Sequence, residues 1–318
     1  MLWAGPLPVV NERPLDAVFL HLPQEDPQSL GSGHQKLAFQ LDIANDLLAP
    51  NAGPNGAVVH EDFETQRLKV AWSRGLGSGL EFQAGTNLTA RDGGILDGPL
   101  EWYHHLVGVS SDAEDDPVGR DNWPRGLDEM TYTDPQGNGV DDGGAFGLGD
   151  TTLVLKQQLS RGKFVSSLRA GLKLPTGSAT NVTGSGGADV GLALNVRRQI
   201  ARRWAAFGEF ADYRYGHSPL PDASPDGIQG GMGLEWRIGR RTSFVIQNDA
   251  SDRTITTGNA FADHTPVGGS LGLRFRQSPH RLLWCSMTEN GDWVEYHVPY
   301  LSNIGPDLTL SAGVELLR

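Results

Sequence analysis

The chain has 318 residues and a net charge of −12, which excludes a nucleic-acid partner, because phosphate binding needs a basic surface. Its one cysteine, Cys285, excludes an intrachain disulfide, and no run of about 18 apolar residues is present to make a transmembrane helix. A hydrophobic fraction of 38%, with 42 glycines, is low for an enzyme with a large core but suits a membrane β-barrel, where only every second strand residue must be apolar.

Residues 1–30 read as a separate N-terminal segment. The opening "MLWAGPLPVV" has neither the charged n-region nor the apolar h-region of a signal peptide, so the signal is expected to be cleaved or missing from this chain. Pro6, Pro8 and Pro14 bar the segment from a strand ladder, since proline lacks the donor. It precedes the first strand and so starts on the periplasmic side, either as a plug in a lumen or as a frayed terminus.

From residue 31 the pattern has period 2, the mark of strands with two unlike faces. Leu37, Phe39, Leu41 and Ile43 alternate with Lys36, Gln40 and Asp42; Leu68, Val70 and Trp72 with Arg67 and Lys69. Leu80, Phe82 and Ala84 alternate with Glu81 and Gln83; Leu153 and Leu155 with Lys156 and Gln158. In "KFVSSLRAGLKLPTGSATNVTGSGGADVGLALNVRR" two such limbs flank a Gly/Ser/Thr-rich break. Met232, Leu234 and Trp236 oppose Glu235 and Arg237; Leu271, Leu273 and Phe275 oppose Arg274 and Arg276; Leu310, Ala312 and Val314 oppose Thr309, Ser311 and Glu315. Segments 201–215, 241–251 and 281–290 alternate less cleanly. With them the count is twelve strands, most of 10 to 15 residues.

The links alternate in length. Short basic turns lie near Arg74 and at 160–163, 197–203, 238–241 and 276–281; long links lie near 46–57, 91–145, 175–187, 215–227, 252–265 and 290–306. An even strand number with tight turns at one end and long loops at the other is the organisation of an outer-membrane barrel. The fold class is therefore all-β, a transmembrane antiparallel barrel over 31–318, lodged in the bacterial outer membrane with the lipid bilayer as its first partner. Trp72, Trp204 and Trp236, near the turns, are expected to form the periplasmic aromatic girdle.

By parity the lumen receives Lys36, Arg67, Lys69, Lys156, Arg169, Lys173, Arg197, Arg237, Arg274 and Arg276, against Asp42, Glu81, Asp150, Asp189, Glu209, Glu235, Asp249 and Glu315. Such charges either pair across a narrow barrel or line a conduit. Arg169 and Lys173 share a strand and a face, as do Arg274 and Arg276, each pair about 7 Å apart at ~3.4 Å per residue. Those rows predict an anion-preferring track, unless Glu81, Glu235 or Glu315 partner them.

The 91–145 link carries "ILDGPLEWYHHLV", with the spacing of a short amphipathic helix, and ten acidic residues against two arginines from 111 to 142. Asp134, Gln136, Asn138, the Val140 carbonyl and Asp142 resemble an oxygen-rich calcium loop, but Ala145 stands where the bidentate Glu belongs, which excludes a strict EF-hand. Calcium is the one cofactor this pattern suggests. His104 and His105 point about 100° apart on a helix and make a poor metal pair.

"GPLPVVNERPL" (5–15), "GGILDGPLEWYHHLVGV" (93–109), "GRDNWP" (119–124), "FGLGDTTLVLK" (146–156), "GLKLPTG" (171–177) and "TENGDWVEYHVPYLSNIGPDLTLSAGVEL" occur in that order over the chain. Together they resemble a bacterial outer-membrane barrel family known only as a domain of unknown function. "GLGD" and "KLPTG" are similar to elements of outer-membrane transporters linked to aromatic-compound degradation. Asn11 and Pro14 resemble the Asn-x-x-Pro hatch of long-chain fatty-acid transport barrels, which implies a plug.

An enzyme reading rests on His217 and Ser218, at the height where outer-leaflet lipid hydrolases hold a His/Ser pair. Adjacent strand residues face opposite sides, which disfavours a nucleophile–base hydrogen bond. The expected function is passage of small-molecule solutes, gated by the N-terminal segment, with no enzymatic activity. The alternative is a structural barrel that serves other envelope proteins as a partner.

Overall fold

The computed structural model describes residues 5–52, 58–107, 124–134, 136–220, 222–256, 265–290 and 306–318. Helices α1 (Pro14–Ala17) and α2 (Asp97–Val107) accompany β1 (Gln35–Ala52), β2 (Val58–Gly77), β3 (Leu80–Asp92), β4 (Glu129–Thr133), β5 (Gly139–Asp142), β6 (Ala145–Leu148) and β7 (Thr151–Gln158). The remaining strands are β8 (Phe164–Leu174), β9 (Asp189–Ala201), β10 (Trp204–Arg214), β11 (Asp226–Arg237), β12 (Thr242–Ser251), β13 (Val267–Ser278), β14 (Arg281–Asn290) and β15 (Leu308–Leu317). Among the described residues no helix is long and apolar enough to cross a membrane.

Twelve strands, β1, β2, β3 and β7 to β15, pair antiparallel in a ring that closes where β1 meets β15, from Lys36↔Leu317 to Asn45↔Leu308. Closure satisfies every wall strand on both sides and leaves no open edge to face hydrocarbon. The registers keep parity around the ring. Glu81 faces Lys156, Lys156 faces Arg169, and Asp42 faces Arg67, so like parity means like face throughout.

Outward positions such as Leu41, Leu68, Leu168, Leu192, Leu234, Leu271 and Leu310 are exposed, as an apolar band suited to lipid and unsuited to water. At the turn end Trp204 and Trp236 are cross-strand partners with rings stacked at 5.6 Å, and Trp72 meets Phe82 edge-on at 6.3 Å.

Three features of the loop end differ from the period-2 reading. β1 runs 18 residues, to Ala52 within the expected 46–57 link, and β2 runs 20 residues from Val58. Alternation disappears there because every residue from Val59 to Thr65 is buried, whichever face it is on. Within the 91–145 link, β4 pairs with β2 and β5 with β4. The strand facing β3 is interrupted at Gly149 and Asp150, so β6 continues β7 along β3.

Helix α2 lies against the outer face of the wall. Leu96 and Leu100 pack with Leu308, Ile43 and Met287, all of outward parity. The Glu64 carboxylate accepts the N–H groups of Ile95 and Leu96 at 2.9 Å, and Asn45 donates to Asp97 at 2.9 Å.

The core of the molecule lies inside the ring. One cluster at the loop end joins Leu15, Val18, Phe19, Leu20 and Leu22 to Val59, Phe63, Met130, Tyr132, Tyr213 and Leu220. A second joins Leu7 and Val9 to Phe207, Val245 and Trp284. Inward glycines make room for these rings: a Cβ on Gly313 would stand 2.4 Å from the Trp284 indole, and one on Gly233 would stand 2.5 Å from the Phe207 ring.

Candidate functional site

Residues 5–30 run through the lumen and bond to its walls. The segment is proline-rich and unpaired with any strand, so its N–H groups need other acceptors. Inward side chains supply them. Gly5 donates to Glu235 at 3.1 Å, Leu7 to Gln247 at 2.9 Å, Leu20 to Asp189 at 2.9 Å, Leu22 to the Tyr213 hydroxyl at 2.9 Å and Leu30 to Glu81 at 2.7 Å. Segment carbonyls are met in the same way. Gln247 donates to Leu7, Gln40 to Pro8, Arg169 to Pro23 and Arg274 to Pro6.

The segment's own carboxylates bind the wall's cations. Glu12 pairs with Arg67 at 2.8 Å and with Lys69. Glu25 pairs with Lys156 at 2.9 Å, Arg169 at 3.1 Å and Lys36 at 3.6 Å. Asp26 pairs with Arg197, and in the reverse sense Arg13 of the segment pairs with Glu61 of β2 at 2.7 Å. Burial opposes the charge on Glu25, but Lys156, Lys36 and Arg169 outweigh it and hold the carboxyl well below the usual carboxylate range. Burial likewise opposes the charge on Arg13, and Glu61 with Asp16 more than restores it, which raises its affinity for the proton.

Wall-to-wall pairs complete the network. Lys173 lies 2.6 Å from Asp150 and 3.2 Å from Asp189, Arg169 is 2.9 Å from Glu209, Lys156 is 3.3 Å from Glu81, and Arg274 is 2.5 Å from Glu315. Lys69 is 3.0 Å from Asp42. Glu235 accepts from Ser243 at 2.6 Å besides Gly5. Arg237 and Arg276 are half-buried near the turn end, and Arg276 lines the same cavity as Lys36 and Arg274. That cavity, about 420 Å³, lies between the segment and the wall. A second, about 440 Å³, is lined by residues 28–32 and 77–79 with Gln158, Arg161, Gly162 and Arg197 at the turn end.

The inward residues read from parity thus share one lumen. Parity did not reveal the partners: Glu12, Glu25 and Asp26 stand in a segment without alternation. One signal was available, since four acidic residues fall between positions 12 and 26 beside proline, in a stretch with no lipid-facing role. Asn11 and Pro14 have local roles. The Asn11 amide oxygen accepts from Arg13 N–H at 3.0 Å and its nitrogen donates to Asp16 at 3.2 Å, while Pro14 starts α1.

At the loop end Ser218 is buried and donates to the Ser185 carbonyl at 2.5 Å, whereas His217 is exposed. The hydroxyl proton therefore goes to backbone and not to an imidazole. Asp134 accepts the N–H groups of Gln136 and Asn138 at 2.8 Å and the Asn138 amide at 2.9 Å, which holds its carboxyl below the usual range. A cation bound here would have to displace those donors. The side chains of His104, His105 and Asp142, and residues 1–4, lie outside the described residues.

A family model described as a protein of unknown function, DUF3187, matches residues 2–291. No curated protein matches the sequence. Among solved structures, the COG4313 outer membrane channel from Pseudomonas putida F1 is similar at TM-score 0.57 and 12% identity, over 94% of this chain and 100% of that one. The KdgM porin in complex with disordered oligogalacturonate gives 0.44 at 7% identity, over 88% and 98%. The P. putida toluene transporter TodX gives 0.36 at 10%, over 91% and 89%. The first likeness shows the fold of an outer-membrane barrel; the other two are too distant to add to it.

Proposed function

We propose, from the premise that this chain belongs to the DUF3187 family of proteins of unknown function, that it is an outer-membrane channel for small molecules whose residues 5–30 act as an internal plug. The turn end, where β1 begins and β15 ends, faces the periplasm, and the acidic 91–145 loop faces outward. The lipid bilayer covers the apolar band, and the solute takes the lumen. The observation that carries this reading is the manner of attachment. Among the described residues the segment's bonds to the wall run through side chains and never through a strand ladder, so its departure breaks no wall pairing. Arg67, Lys69, Lys156 and Arg169 already line a cavity beside it, so a solute path needs only displacement of the segment.

Single-channel recording of the full chain and of a chain lacking residues 1–30 tests the proposal. The truncated barrel is expected to conduct steadily and the full chain to conduct far less. A second reading, a structural barrel within an envelope complex, is favoured by the dense ion pairing of the lumen. Equal and negligible conductance of both forms would support it.

A further inference from the structure

We propose that the lumen is a binding track for small carboxylate-bearing solutes, and that Glu12, Glu25 and Asp26 occupy its stations as a built-in stand-in; this deepens the channel reading above and rests on it. Six wall cations, Lys36, Arg67, Lys69, Lys156, Arg169 and Arg197, face three segment carboxylates and three wall carboxylates, Asp42, Glu81 and Glu209. The set is neutral with the segment in place. Among the described residues Lys36, Arg67 and Arg197 make ion pairs with the segment alone. Withdrawal of the segment therefore strips Arg67 and Arg197 of their ion-pair partners and Lys36 of Glu25, with Glu315 and Glu81 still near Lys36, while Glu61 loses Arg13; the balance shifts towards positive charge in a confined interior, where an unpaired charge is costly. A wall in that state takes up anions.

The stations also select the kind of anion. The Oε1 of Glu25 receives Lys156 at 2.9 Å, Lys36 at 3.6 Å and the Gln83 amide at 2.8 Å, while its Oε2 receives Arg169 at 3.1 Å. Glu12 is divided in the same way, with Oε2 on Arg67 and Oε1 on Lys69. The Glu12 and Glu25 stations each grip a planar two-oxygen acceptor from both sides through charged donors, the group that any free carboxylate presents, whereas Asp26 meets Arg197 through Oδ2 alone. Glu25, Arg67, Lys69 and Lys156 all line the cavity of about 420 Å³, so the body of a small organic acid has room beside the point where its carboxylate would displace the side chain. The segment is thus an autoinhibitory counter-ion, exchanged for cargo of its own chemistry.

The test uses the full chain and the triple variant Glu12→Gln, Glu25→Gln, Asp26→Asn in planar bilayers, with succinate as the probe. In the variant the chloride-over-potassium permeability ratio is expected to rise severalfold, and succinate is expected to reduce the chloride current with increasing dose. In the unmodified chain, succinate should speed protease cleavage within residues 5–30 more than potassium chloride of equal ionic strength does. That measurement decides alone if the variant fails to insert. Current in the variant without anion preference, or succinate acting no more strongly than potassium chloride, overturns the carboxylate assignment and leaves the channel reading standing. No ion flux in the variant or in the chain lacking residues 1–30 overturns the channel reading itself.

Discussion

Strands β1, β2 and β7–β9 turn Lys36, Arg67, Lys69, Lys156, Arg169 and Arg197 towards the lumen, whereas β10, β12 and β14 turn Phe207, Val245 and Trp284 towards it. The same inner segment meets both. Leu7 and Val9 pack on the apolar side, and Glu12, Glu25 and Asp26 bind the charged side. The two attachments differ in what releases them. Apolar packing responds to shape and volume and hardly to salt. Ion pairs respond to competing anions and to protonation. A plug held in both ways keeps its place on one side while it can be exchanged on the other.

The largest effect is expected where wall pairs with wall and the segment contributes no charge. Lys173 serves Asp150 and Asp189, and all three are buried. Lys173→Met leaves two buried carboxylates without their cation, at a cost on the order of 3–5 kcal/mol. The barrel should then lose its folded gel mobility at a lower temperature, with the segment still protected from protease below that transition. Release of the segment without barrel destabilisation would contradict the division drawn above.

Next comes the apolar side. Leu7 is fully buried against Trp284 and its neighbours, and Leu7→Ala is expected to weaken docking by about 2–5 kcal/mol. Protease should reach the first residues of the segment while Glu25 stays bound. A uniform release of residues 5–30 would show that the two attachments are one cooperative unit.

That division also explains what the sequence disclosed. The lipid face was legible because hydrocarbon demands an apolar residue at each outward position, as at Leu168, Leu192 and Leu194. Segments 201–215, 241–251 and 281–290 alternate poorly for a physical reason. Their inward positions carry Phe207, Val245 and Trp284, apolar because Leu7 and Val9, not water, lie opposite, and both parities therefore look greasy. Likewise β2 lost its signal from Val59 to Thr65, where both faces are covered. The cations of the lumen were legible by parity. Their partners were not, because a segment without regular structure has no period to read, and Glu12 and Glu25 reach Arg67 and Lys156 across 55 and 131 residues of chain.

A smaller change separates hydrogen bonding from packing on the apolar side. Gln247 accepts the Leu7 N–H at 2.9 Å and donates to the Leu7 carbonyl at 3.1 Å. Gln247→Leu preserves bulk but leaves both Leu7 groups without those partners, at a cost of roughly 1–3 kcal/mol for each buried group left unsatisfied. Hydrogen exchange at the Leu7 amide should accelerate, less than in Leu7→Ala. An exchange rate as fast as in Leu7→Ala would mean that packing adds little.

Mild acid is expected to do least. The Glu25 carboxyl lies well below its ordinary range when docked, because Lys156, Lys36 and Arg169 outweigh the burial that opposes its charge. Released, it returns to about 4.3. A carboxyl with a depressed docked value stabilises the docked form fully above its free value, and loses that contribution progressively as pH falls from the free value through the docked value. Protease release of the segment should therefore stay flat from neutrality down to about pH 5 and rise progressively as pH falls below the free carboxyl value of ~4.3. The comparison is with Glu25→Gln, which should show faster release at neutral pH and a shallower acid step. Release that begins near pH 6 in the unmodified chain, and is unchanged in Glu25→Gln, would remove Glu25 from the charged attachment and leave the apolar side as the main hold on the segment.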